Sequence, residues 1–313
     1  MLQKDDDGEF SDSFEALNAT LSPSWNVLKI SEGALFDHPI EILFISLAKE
    51  PQSISSSRVE IQVAPSSSVC ILERHIQQDQ CESFVDVKVH LSVGHGSKVE
   101  YVQIQDQNFK SFHYAKTKVD LAENSDLTTL VVALGAKQSR SEFEVNVNAP
   151  HCAARLLGVY ALADSQQSDH YTAIRHHSGG SHTEQIYKGL LDGKSKGVFN
   201  GHVYIAQDAQ KANSEQLNMN LLLSPNAEIN SKPELKIYAD DVKASHGSTI
   251  GQLQQEELFY LRSRGIKKTT AIKLLAQAFV MDLVERLEND ELKKIVGHQL
   301  SSKLSTFEGI PET

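Results

Sequence analysis

The chain has 313 residues, a formal net charge of −11 at pH 7 and 40% hydrophobic residues, enough length for one large or two ordinary domains with real cores. The acidic balance disfavours nucleic acid as a partner, because phosphate binding draws most of its affinity from clustered Lys and Arg, and the sequence has no such patch. Apolar runs such as residues 42–47 fall far short of the roughly 20 residues that cross a bilayer, so no membrane span is expected.

In chain order, residues 1 to about 25 form an acidic, Ser-rich lead-in that reads as disordered or partly helical. Its first residues include Asp5-Asp6-Asp7-Gly8-Glu9 rather than the apolar stretch an export signal needs, so a cytoplasmic location is expected. Cys70, Cys81 and Cys152 are odd in number and lack C-x-x-C spacing, which fits a reducing compartment and argues against a disulfide framework.

From Trp25 the character changes to short β-prone runs separated by Gly, Pro, Ser, Asn and Asp. Val59, Ile61 and Val63 alternate cleanly, residues 127–134 are apolar almost throughout, and the rhythm continues to Tyr238 with no helical insert. An all-β stretch of this length must hide its strand edges. A parallel β-solenoid over residues 26–251 is favoured, with a loose period of roughly 20 residues; a β-sandwich is the alternative. After Gly251 the period changes to 3.6, predicting a C-terminal α-helical domain over 252–313. A helix over 256–264 ends at Gly265, a second is capped by Thr269 or Thr270, and a third restarts at Asn289-Asp290.

Four motifs invite functional readings. Residues 188–195 resemble a phosphate-binding loop but have three residues between the glycines instead of four, and read as a turn between strands with no nucleotide-binding role. His170, His176, His177 and His182 form a dense histidine group, yet adjacent His176 and His177 must point to opposite faces of a strand, so solvated polar faces are expected rather than a metal site. Asp240-Asp241 cannot present both carboxylates to one bond from an extended chain, which weakens a polysaccharide-cleaving reading. His246, in Ser245-His246-Gly247, is either a tight-turn residue bonded to a backbone carbonyl or an imidazole ligand or proton carrier at an edge; its spacing does not decide.

The phrases Thr172-Ala173-Ile174-Arg175-His176, Gly201-His202-Val203, residues 221–227, Pro233-Glu234-Leu235-Lys236-Ile237, Ser245-His246-Gly247 and residues 259–265 together resemble the SufB/SufD family of iron–sulfur cluster assembly proteins. The resemblance runs from about Ala122 to Ile295 and is weaker upstream. It implies a right-handed parallel β-helix with a helical C-terminal domain. It also implies a non-catalytic scaffold that pairs with SufB through the β-helix, docks the SufC ATPase through the helical end, and has an indirect link to a cysteine desulfurase. Such pairing surfaces also allow a homodimer when the chain is alone. Where SufB carries a cysteine before the glycine, this chain has His246, as SufD does. On that resemblance His246 faces SufB and helps hold iron or a nascent cluster transiently, ATP enters only through SufC, and Leu258, Phe259, Tyr260 and Arg264 form the docking neighbourhood. A β-helix enzyme acting on polysaccharides is the runner-up, and a structural solenoid adhesin the third class.

Overall fold

The computed structural model describes residues 13–22, 24–47 and 50–307. The part of the lead-in before Ser13 lies outside them. A nine-residue helix, α1 (Ser13–Leu21), opens the described chain. Eight strands follow: β1 (Asn26–Ile30), β2 (Ile40–Ser46), β3 (Ser53–Val63), β4 (Ser68–Gln77), β5 (Ser83–Val93), β6 (Lys98–Asp106), β7 (Phe112–Leu121) and β8 (Asp126–Ala133). Eight more complete the body: β9 (Gln138–Val147), β10 (Ala153–Leu162), β11 (Gln167–His176), β12 (His182–Leu191), β13 (Lys196–Ile205), β14 (Asn213–Leu222), β15 (Glu228–Ile237) and β16 (Lys243–Gly251). Three helices close the chain: α2 (Gln255–Ser263), α3 (Lys268–Val284) and α4 (Asp290–Ser305).

Odd-numbered strands stack in one eight-stranded sheet and even-numbered strands in a second, every pairing parallel. Each odd–even pair is therefore one turn of a parallel β-solenoid. Ala153 pairs with His182 and His182 with Asn213, so one turn takes roughly 30 residues and contains two strands. The 20-residue period expected from the sequence is too short. The cause is that successive strands alternate between two sheets.

The middle of the even sheet is covered on both sides, which explains the apolar runs of β8 and β10. One face meets the lumen, and the other packs Val102, Leu130, Val132, Leu157, Val159 and Ile186 in one cluster with Ala271, Ile272, Val280 and Leu283 of α3 and Leu292, Val296 and Leu300 of α4. Lys188 fastens the joint, its Nζ donating to the Phe279 carbonyl at 2.8 Å and the Asp282 carboxylate at 2.7 Å. Arg286 pairs with Glu184 at 2.8 Å.

Helix boundaries follow local chemistry. The Asn289 side chain caps α4 by accepting from the N–H groups of Glu291 and Leu292. Gly265, at φ +85°, lets its own N–H reach the Arg262 carbonyl and that of Ile266 reach the Leu261 carbonyl, the paired closure of a helix C-terminus. The predicted threonine cap of α3 is not formed: the helix begins at Lys268, and its N-cap, Lys267, makes no side-chain cap bond. Thr269 and Thr270 sit inside the first turn.

The lumen holds both apolar and polar stretches, the early turns burying Glu73, His75, Gln103 and His113 beside their apolar residues. Between the early turns it is packed with Val59, Ile61, Val87, Val89 and Leu91 of one sheet and Val69, Ile71 and Val99 of the other. In the later turns Thr183, Gln185, Ser214, Gln216, Asn218 and Asn220 are buried there, with His170 and His176. The histidine group is thus split. His170 and His176 are buried, not solvated as expected, while His177 is exposed. His170 stacks on Tyr160 at 4.8 Å, and burial lowers it to about 3.

Candidate functional site: the open end of the solenoid

The last turn, like the first, ends its sheets in strands that no further strand of the described residues covers. β15 pairs only with β13, and β16 only with β14, so both strands are sheet edges with one row of backbone groups unpaired within either ladder. Such an edge is a template for another strand. Ile237, Tyr238 and Ile250, all at least 40% exposed, add apolar surface to this rim.

His246 lies in the middle of β16, not in a turn. Gly247 carries no positive φ, so the His-Gly pair here is ordinary strand. Its in-register partner is Gln216, a fully buried lumen residue whose Nε2 donates to Gln185. Register places His246 on the lumen side, as the next member of the Gln185–Gln216 column. With no further turn above it, the imidazole is exposed. Two positions on, Ser248 donates to Ser231 at 2.8 Å, tying the two sheets together across the mouth.

Among the described residues, no group of three or more His, Cys, Asp or Glu side chains stands close enough to hold a metal ion. His246 thus offers one ligand from this chain. Cys70 is remote from it, on β4. Burial, reinforced by the adjacent Glu100 carboxylate, pushes the Cys70 thiol up to about 12, so it is not a thiolate at neutral pH. Asp240 and Asp241 are exposed in the β15–β16 connection, and the Asp241 carbonyl accepts from Lys211 N–H at 2.6 Å. That is a turn role, and it gives the polysaccharide reading no paired acids.

The α2 neighbourhood resolves into two kinds of residue. Leu258 is 7% exposed and packs into the helical core, so its side chain is not offered to a partner as the sequence reading had it. Phe259 and Tyr260 are 73% and 58% exposed. Arg264 lies over the Tyr260 ring, 5.2 Å from its centroid, and donates to the Tyr260 hydroxyl at 3.2 Å. Only Gln252-Leu253-Gln254 separate β16 from α2.

The comparisons with known proteins bear on this arrangement. The family model described as "SUF system FeS cluster assembly, SufBD core domain" matches residues 44–279. The chain belongs to the SufB/SufD family. The SufD-like branch is indicated by the relatives: the protein is 28% identical to "Iron-sulfur cluster assembly protein SufD" of Escherichia coli, over 93% of this chain and 69% of that one. It is 33% identical to "Iron-sulfur cluster assembly SufBD family protein slr0076" of Synechocystis, over 91% of this chain and 64% of the relative. It is 29% identical to "Protein ABCI7, chloroplastic" of Arabidopsis thaliana, over 90% and 61% respectively. The chain therefore spans about two thirds of the length of these SufB/SufD relatives. No helix among the described residues is long and apolar enough to cross a membrane.

What sequence reasoning missed is the polar lumen. Gln, Asn and His in alternating positions look like a solvated face, and only the pairing of both sheets reveals that they face one another.

Proposed function

We propose that this SufD-like chain is a non-catalytic scaffold of iron–sulfur cluster assembly. The observation that carries the reading is the placement of His246 on the lumen side of an unpaired terminal turn. A protein partner that adds strands to β15 and β16 covers that turn and closes the site around the imidazole. Family membership points to SufB as that partner, with a cysteine opposite His246. One imidazole supplies a single ligand, whereas iron in a cluster is held by several thiolate or imidazole ligands, so the metal is shared cargo completed from the partner's side. Iron, or a nascent cluster, is the transient substrate of the interface.

SufC docks, on this reading, at the exposed Phe259–Tyr260–Arg264 surface of α2. ATP enters the system through that ATPase alone. The three-residue link between β16 and α2 joins the docking helix directly to the strand that carries His246.

Co-expression with SufB and SufC tests the assembly. One complex containing all three chains is expected. Ile250→Asp should remove SufB and retain SufC, and the double change Phe259→Ala, Tyr260→Ala should do the reverse, with thermal melts of the isolated chain unchanged. Failure of the unmodified chain to capture either partner would overturn the proposal.

A further inference from the structure

The outer face of the odd-numbered sheet carries a groove beside the open turn. It crosses β11, β13 and β15 and is lined by Tyr171, Arg175, His177, His202, Tyr204 and Lys236, around a volume of about 360 Å3. That is within the usual range for small-molecule sites. Its origin is one small residue. In the cross-strand row Glu144–Ala173–His202–Glu234, Ala173 alone is short, and it is flanked along β11 by Tyr171 and Arg175. Ala173 itself is buried beneath these neighbours and forms the floor of the groove.

The walls are flat rings, and the rim sets Arg175 and Lys236 among the Glu144 and Glu234 carboxylates. Tyr171 and His202 have ring centroids 5.2 Å apart, and Tyr204 is bordered by Tyr238 at 5.5 Å and His177 at 6.5 Å. Arg175 is held by Glu144 at 2.7 Å and His202 by Glu234 at 2.9 Å. Lys236 forms no ion pair among the described residues, so its ammonium is available to an anion. Burial, against the opposing charge of Glu234 and with the help of Lys236, Lys232 and Arg175, holds His202 below its ordinary 6.5. A neutral imidazole favours ring contact over ion pairing at pH 7.

We propose that this groove binds a small ligand that combines a planar ring with one anionic group, of mononucleotide size. The ring lies above the Ala173 floor and contacts the Tyr171, His202 and Tyr204 rings. The anion meets Lys236, with Arg175 as a second donor. Ring stacking and a charge-assisted contact act together, so neither half of the ligand suffices alone.

The test uses the full chain and three probes: AMP, adenosine and inorganic phosphate, followed by calorimetry and by chemical-shift changes of the tyrosine rings. AMP should bind at least tenfold more tightly than either adenosine or phosphate. Tyr204→Ala, which removes one ring wall from a half-buried position, and Lys236→Ala, which removes the free cation from an exposed position, should each weaken AMP at least tenfold while the thermal melt stays in place. Absence of AMP binding, equal binding of phosphate and AMP, or an unchanged affinity in Tyr204→Ala and Lys236→Ala would overturn the proposal.

Discussion

Gln216 and His246 are in-register partners on adjacent strands, yet Gln216 is fully buried and His246 is exposed. The difference is not in the side chains but in what lies above them. Gln216 has a further turn over it, and His246 has none. The same stacking that buries glutamines in the lumen leaves a histidine at its mouth. A partner that extends the stack would give His246 the surroundings that Gln216 already has.

Close packing in the late lumen makes Gly158 irreplaceable. A Cβ at this position would clash with the edge of the Tyr187 ring, and Tyr187 is fully buried against Phe199 at 5.1 Å. Gly158→Ala is expected to cost about 3 kcal/mol, the upper range for overpacking. Urea unfolding measures this, and a change below about 0.5 kcal/mol would show that the tyrosines can step aside.

Solenoid periodicity was readable in sequence wherever one face of a strand is solvated. β3 ends in Val59, Ile61 and Val63 with polar residues between, and this alternation is a direct record of inside and outside. β8 shows none of it, since Leu127 to Ala133 are buried whichever way they point. That hides the two-strand turn and makes the period look shorter. β16 fails for the opposite reason: its mouth-side cover is missing, exposure is nearly uniform, and Ser245-His246-Gly247 is compositionally a turn. The helix boundary at Gly265 was legible because a left-handed residue is needed there and glycine adopts it without strain.

Acid stability should depend on Glu73. Its carboxylate is fully buried, accepting from Gln103 at 2.7 Å and from Tyr101, and lying 2.5 Å from His75 Nε2. Burial pushes Glu73 up, but the hydrogen bond and charge of His75 and the hydrogen bonds of Tyr101 and Gln103 outweigh it and hold it below its ordinary 4.5. A carboxylate lowered in the folded state stabilises it above 4.5, and the contribution is lost as pH falls through the folded value. Unfolding free energies measured against pH should show a steeper acid loss in the native chain than in Glu73→Gln. Parallel curves would contradict the assignment.

Lys303 acts at the alkaline end. It is buried at the end of α4, where its Nζ donates to Gln166 at 2.7 Å and lies over the Phe109 ring. Burial lowers it from 10.5 to about 8, against the opposing charges of Asp106 and Asp164. Between those two values the unfolded chain binds the extra proton, so stability rises with pH across this window. The rise should be roughly 2–3 kcal/mol and absent in Lys303→Met. Equilibrium unfolding from pH 7 to 10.5 checks it, and equal slopes in both proteins would refute it.

On the proposed function His246 helps hold cluster iron at a shared interface, and the most direct measurement is the iron and acid-labile sulfide content of a complex assembled with SufB and SufC. His246→Ala is predicted to leave the complex intact by size and composition while lowering both contents several-fold. Full iron and sulfide in the alanine complex would contradict the claim.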